Sequence, residues 1–583
     1  MELHLDRVEV WVGGNDAAAA TRHWTAVRGT GAHQVGPVEV SIGGGPDRWT
    51  WSVAGRSDQP VRLRGVRLVM RVTGGRGPLR LLRNGYQSWS PSGVATLGVD
   101  RDPSNGPRVP RLVRATHHAD EEVADPGELR SECVTILADD GPQRVLVGFE
   151  GGASHDGTLR LAATDHGPEL AAEAYLGGAR LDPGTTRSLH PLLLLHGEDH
   201  AALLDGWAAA VGRAERARAA SPYQVGWCSW YHYFGAVTEA DIRANLARAA
   251  EWPFEVFQVD DGFQPTIGDW RANERFPSGL ERLAAAIDRE GLRPGVWLAP
   301  FLARPDAQVV ADHPGWVARY RDGERPLVGM WHPVWGGDTW VLDTTNPEVL
   351  DHLERLAADL VGAGFTYLKL DFTYAPSVDG IYVDPTRTPA ERVRAGYDAV
   401  RRGAGDDTFL LGCGAPLGAV VGVVDGMRIG PDVAPSWPVD AAAAARGDYA
   451  AGEPATANAH RETLVRSALH RRLWLNDPDC LMLRRTATGL SRDALEGWAW
   501  TVAASGGMAL VSDDLSLLDG DARRLLDAVV ALGRAADAEA VSGSAPRCTD
   551  LLEACPPTTL EAAGRCVQVD PVTGRAESAS AAR

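Results

Sequence analysis

The sequence predicts a multidomain β plus α/β protein: an N-terminal β-sandwich, a central (β/α)8 TIM barrel and a short C-terminal β or irregular region. Three observations predict it. Residues 1–200 contain short apolar–polar alternations between Gly, Pro and Asp turns, with no long amphipathic helix among them. From residue 221 onward, short apolar runs alternate with helical stretches eight times, the rhythm of a closed (β/α)8 unit. The length of 583 residues exceeds the roughly 250–300 at which one hydrophobic core stops growing, so several domains are required.

In the sandwich, residues 1–200, VRLRGVRLVMRV (61–72) alternates apolar residues with Arg, as a sheet with one wet face does. Segments 144–151, 158–163 and 191–197 read as further strands of the same unit. Residues 201–220 form a helical connector. The barrel spans 221–520, with strands expected in 223–231, 254–261, 293–301, 366–372, 408–414, 426–430, 473–478 and 507–512. Helices lie between them at 238–252, 279–291 and 347–364, the first opened by Thr238 with Asp241 three residues on, a capping-box pattern. An open doubly wound sheet is the alternative, but no Gly-rich dinucleotide fingerprint follows the first strand. In 521–583 a helix (521–536) precedes a tail suited to a small β unit, and its last ten residues, GRAESASAAR, read as disordered.

Composition narrows the function. A net charge of −19 counts against nucleic-acid binding, which needs a basic face. No run of 18 apolar residues occurs, so no membrane span is expected. The start MELHLDRVEVWVGG lacks a basic segment followed by an apolar one, which reads as no secretory leader and a cytoplasmic protein. Seven cysteines without a CxxC pair imply neither a disulfide framework nor a zinc site. Monomer and homo-oligomer are both compatible with the sequence. Many of the 19 Trp sit beside Gly, Asp or Asn; their faces suit the C–H faces of sugars, although core packing is the commoner role of any single Trp.

One residue stands out. Of 58 basic residues only Lys369 is lysine. A chain that uses Arg for every other positive charge keeps one compact ammonium where a planar fork would not fit. Lys369 and Asp371 stand two apart in YLKLDFTY, so both side chains leave the same strand face, which in a barrel is the lumen. Other strand ends carry Asp260, Asp261, Trp297, Cys413, Arg428, Asp432, Asn476, Asp477 and Asp479, where barrel enzymes place their chemistry. Lys369 favours an ionised Asp371, a nucleophile. Asp432, in RIGPDVAPSW with Trp437 nearby, has a partly apolar home suited to an acid that must hold its proton. Such a pair is the signature of glycoside hydrolysis, with retention or inversion left open by the sequence. A Schiff-base lyase using Lys369 and a non-catalytic sugar-binding barrel are the alternatives from other classes.

The segments NGYQSWS (84–90), GWCSWYHYF (226–234), FEVFQVDDGFQ (254–264), PGVWLAPF (294–301), LKLDF (368–372), LLGCGAPLG (410–418), DGMRIGPDVAPSW (425–437) and LWLNDPDCLMLR (473–484) resemble the α-galactosidases (melibiases) of glycoside hydrolase family 36, clan D. The resemblance covers roughly residues 80–520, in order. It implies a β-supersandwich before the barrel, and release of terminal α-linked galactose from oligosaccharides of the melibiose and raffinose type. It implies Asp371 as nucleophile and Asp432 as acid/base of a retaining double displacement. It also implies sugar contacts from Asp260, Asp261, Trp297, Lys369, Cys413 and Arg428, with Trp89 or Tyr86 reaching over the mouth, and no cofactor. The relatives include α-N-acetylgalactosaminidases and transferases of the raffinose-synthase kind, which stay open as alternatives.

Overall fold

The structure is a computed structural model and describes residues 1–13, 24–102, 109–123, 125, 127–442 and 450–580. The N-terminal part is two antiparallel sheets packed face to face. One has six strands, in the order Trp24–Val27, Glu2–Gly13, Val61–Thr73, Gly167–Leu181, Asp156–Thr164, Leu129–Glu132. The other has eight and runs from Gly31–Val35 to Gly93–Thr96, with Thr186–Gly197 and Arg144–Phe149 at its centre. The alternation read in 61–72 is visible in the burial of Val61, Leu63, Val66, Leu68 and Met70 between the sheets, among Val8, Val40, Leu146's neighbours Val145 and Val147, and Leu192. The helix His200–Ala214 follows, with the Asp199 side chain accepting from Ala201 N at its start.

All eight expected barrel strands form, each shorter than its apolar run: Val225–Cys228, Val256–Val259, Arg293–Leu298, Tyr367–Leu370, Phe409–Gly412, Gly426–Arg428, Leu475–Asp477 and Ala509–Val511. Successive strands pair in parallel and the last returns beside the first. Between the seventh and eighth the ladder is replaced by three main-chain bonds, Met508 N to Asn476 O at 2.9 Å, Leu481 N to Leu510 O at 2.7 Å and Ser512 N to Leu481 O at 2.9 Å, which bring the cylinder to near closure. The helix Glu239–Ala249 starts with the expected capping box, Thr238 and Asp241 exchanging bonds in both directions. Between the third and fourth strands a three-stranded unit is inserted, containing the hairpin Val328–His332 with Gly337–Val341.

The tail corrects one expectation. Residues 574–583 read as disordered, yet Ala576–Ser580 pairs antiparallel with Arg565–Val569 as the edge of a four-stranded sheet. The reason is main-chain pairing, which needs no large side chains, on a sheet whose Leu560, Val567 and Val569 are buried in the same core as the barrel.

Sandwich and barrel meet at Arg466, buried at the end of the helix Thr456–Val465. Its guanidinium donates to Ile429 O of the barrel at 2.5 Å, and to Gly85, Gln87, Ser88 and Ser90 carbonyls at 3.1–3.2 Å. Glu462 lies 3.3 Å from it. Arg466→Met would leave these carbonyls without their donor, while Glu462 keeps Arg461 at 2.9 Å, so a stability loss of about 1–3 kcal/mol is expected. Calorimetric unfolding checks it; an unchanged midpoint would show that the 84–90 segment is held by other means.

Candidate active site

Strand ends deliver the polar residues into one lumen. Lys369 is 5% exposed, and its Nζ donates to Asp260 Oδ2 at 2.9 Å. Burial alone would lower the ammonium's proton affinity; the Asp260 charge reverses that and holds it well above the usual lysine range. Asp260 Oδ2 also accepts from Gln258 Nε2 at 2.5 Å, and Oδ1 accepts from Asp261 N at 2.9 Å.

Asp371 directly follows the strand Tyr367–Leu370. Its Oδ2 accepts from Trp297 Nε1 at 3.0 Å and its Oδ1 from Phe372 N at 2.8 Å. Phe372 adopts φ 53°, a left-handed turn that a bulky residue takes at a cost of about 1–3 kcal/mol. Trp297 packs edge-on against Trp270, with ring centroids 5.8 Å apart.

Arg428, the last residue of its strand, bridges three carboxylates: Nε to Asp477 at 3.1 Å, Nη1 to Asp432 at 3.2 Å, and Nη2 to Asp479 at 2.8 Å. Asp432 stands at the rim with a third of its side chain exposed (34%). Loss of hydration, then the Asp479 charge, push its carboxyl up to about 7 against the pull of Arg428 and Lys369. Trp437 was expected to shelter it. The Trp437 indole donates to Pro571 O at 2.9 Å, and burial and the charges of Asp479 and Arg428 act on Asp432. Cys413 is fully buried just past the fifth strand, its thiol pushed well above the usual range by burial and by the Asp371 charge.

A sequence profile of the melibiase family matches residues 224–387, which hold the first four barrel strands with Asp260, Asp261, Trp297, Lys369 and Asp371. The fold is similar to TtGalA, an α-galactosidase from Thermus thermophilus solved with p-nitrophenyl α-D-galactopyranoside, at 27% identity and TM-score 0.69, covering 91% of this chain and 98% of that one. Curated relatives match over shorter stretches: α-galactosidase AgaA of Geobacillus stearothermophilus is 31% identical over 137 residues, 22% of this chain and 18% of its own. α-Galactosidase 2 of Pediococcus pentosaceus is 27% identical over 152 residues, 24% of this chain and 20% of its own. The matched segments thus span about a fifth of these curated relatives.

Within this lumen the structure gathers most of the residues singled out from the sequence. Trp89 reaches the mouth from the sandwich segment, its ring 5.0 Å from Phe372 and 6.0 Å from Tyr374. Gly414 makes room for it: at φ 56°, a Cβ there would sit 2.8 Å from the Trp89 ring. Tyr86 is turned away and buried with Ala119 and Tyr175, so of the two Trp89 is the one at the mouth. Two further residues were not singled out. Trp335, at the tip of the inserted hairpin, donates from Nε1 to Asp261 Oδ2 at 2.8 Å and lies 4.7 Å from the Phe372 ring. Its sequence signal is a Trp set against the turn glycines Gly336 and Gly337. Tyr231, inside GWCSWYHYF, donates its hydroxyl to Asp479 Oδ2.

Lys369→Arg tests the lumen's dimensions. Forcing a fork into the space of an ammonium costs about 1–3 kcal/mol of overpacking, which leaves the protein folded. Losing the point-charge geometry toward Asp260 should cut kcat/KM on an α-galactoside at least ~10-fold. Parent-like kinetics would mean that the pocket is wider than this geometry implies.

Proposed function

We propose that the protein is a retaining, exo-acting α-galactosidase that removes terminal α-linked galactose from oligosaccharides of the melibiose and raffinose type. The observation that carries this reading is the division of labour between two aspartates. Asp371 is bonded by two neutral donors, Trp297 Nε1 and Phe372 N. Asp432 keeps a proton up to about 7. The relative TtGalA, solved with p-nitrophenyl α-D-galactopyranoside and with stachyose, supports the substrate class.

In the first step an Asp371 oxygen attacks the anomeric carbon while Asp432 gives its proton to the departing glycosidic oxygen. In the second, Asp432 takes a proton from water, which displaces Asp371 and restores the original anomeric configuration. Asp260 Oδ2 is filled by Lys369 and Gln258, so Asp260 Oδ1 and the spare lone pairs of Asp261 are the acceptors left for sugar hydroxyls. Lys369 has donors to spare beyond Asp260. Arg428 is committed to three carboxylates and serves the sugar mainly by fixing Asp432. Trp297, Trp335 and Trp89 wall the pocket. The Schiff-base alternative loses ground, because the ion pair with Asp260 keeps Lys369 protonated and without a lone pair for a carbonyl.

Proton NMR of melibiose during turnover is the test. α-Galactose is expected as the first anomer formed, with kcat/KM falling as pH rises through about 7, where Asp432 loses its proton. β-Galactose as first product would contradict double displacement, and no galactose release would contradict the activity.

A further inference from the structure

Asp479 is fully buried just beyond the seventh barrel strand, with φ 90°, a conformation a non-glycine residue holds only when its surroundings enforce it. The enforcement is visible: its own N–H donates to Asp477 Oδ1 at 3.0 Å. Its carboxylate is met by donors from four places. Oδ1 accepts from Cys480 N at 2.7 Å and is ion-paired with Arg428 Nη2 at 2.8 Å, and Oδ2 accepts from Val433 N at 2.9 Å and the Tyr231 hydroxyl. A carboxylate has about four acceptor positions, so none remains for a sugar hydroxyl. Two of its four partners nevertheless lead to Asp432. Val433 is the next residue in the chain, and Arg428 is bonded to Asp432 by its other terminal nitrogen.

We propose that Asp479, tethered by Tyr231, is the positioning residue of the acid/base: it pins the loop that presents Asp432 and sets a negative charge behind the shared Arg428. This rests on the reading of Asp432 as the acid. Facing Asp432 are Arg428 and Lys369, which draw its proton off, and Asp479 and Asp371, which hold it on. Tyr231 and Cys413 adjoin the same group, and Asp477 acts through Arg428. Removing the Asp479 charge leaves Arg428 to act on Asp432 with less opposition, so Asp432 should release its proton at lower pH.

The test is kinetic, on the full chain. Asp479→Asn should lose at least ~10-fold more kcat/KM on melibiose than on 2,4-dinitrophenyl α-galactoside, whose leaving group needs no proton. The basic limb of its melibiose pH profile should move down by about one unit. A merely structural role would slow both substrates alike and leave the limb in place, and that result would overturn the proposal. If Asp479→Asn does not fold, Tyr231→Phe removes a single tether and should show the same leaving-group dependence at smaller size; equal losses on both substrates would overturn the proposal there too. Asp432→Ala separates the two readings. If it shows the leaving-group dependence and Asp479→Asn does not, positioning alone fails. If Asp432→Ala lacks that dependence, the acid assignment falls and the proposal with it.

Discussion

Two cations, Lys369 and Arg428, face six aspartates in the barrel lumen: Asp260, Asp261, Asp371, Asp432, Asp477 and Asp479. Stripping a carboxylate of water costs several kcal/mol unless a partner replaces the hydration. With too few cations, the deficit is met in two other ways. Asp371 and Asp261 are bonded by neutral donors, the first by Trp297 and a main-chain N–H, the second by Gln264 and Trp335. Asp432 shares Arg428 with two other carboxylates, and burial and the Asp479 charge raise its hold on a proton. The two aspartates thus sit in different surroundings, Asp371 among neutral donors and Asp432 beside Arg428.

The sandwich takes part in that arrangement. Arg466 gathers the carbonyls of the 85–90 segment and ties them to Ile429, one residue beyond Arg428 and three before Asp432. Ser88 Oγ accepts from Gly414 N at 3.0 Å, beside the glycine that admits the Trp89 ring. A single guanidinium therefore couples the segment that carries Trp89 to the loop that carries Asp432.

The barrel was legible because each strand is a short apolar run bounded by turn residues, and because polar side chains cluster at one end of those runs. The lone lysine was legible for a different reason: in a chain that otherwise uses Arg, Lys369 marked a place with no room for a fork, and it lies buried against Asp260. Trp335 was not legible, since it sits in a hairpin inserted outside the strand–helix alternation, and only folding brings it to Asp261. Asp479 was legible as a strand-end acid but not as a partner of Val433, a contact 46 residues away in the chain. The final strand was missed because small residues such as those of 576–580 look disordered wherever side chains are the guide, whereas here the ladder to Arg565–Val569 holds them. Trp437 misled by proximity in sequence: its indole is held by Pro571 from the far end of the chain.

The central claim is that the charge deficit leaves Asp371 as the lumen's nucleophile. Incubation with 5-fluoro-α-galactosyl fluoride, which slows release of a glycosyl-enzyme, followed by peptide mass mapping, tests it most directly. The account predicts one fluorogalactosyl group per chain, on the peptide bearing Asp371 and lost in Asp371→Ala. A label on another residue, or none while the substrate is turned over, would contradict it.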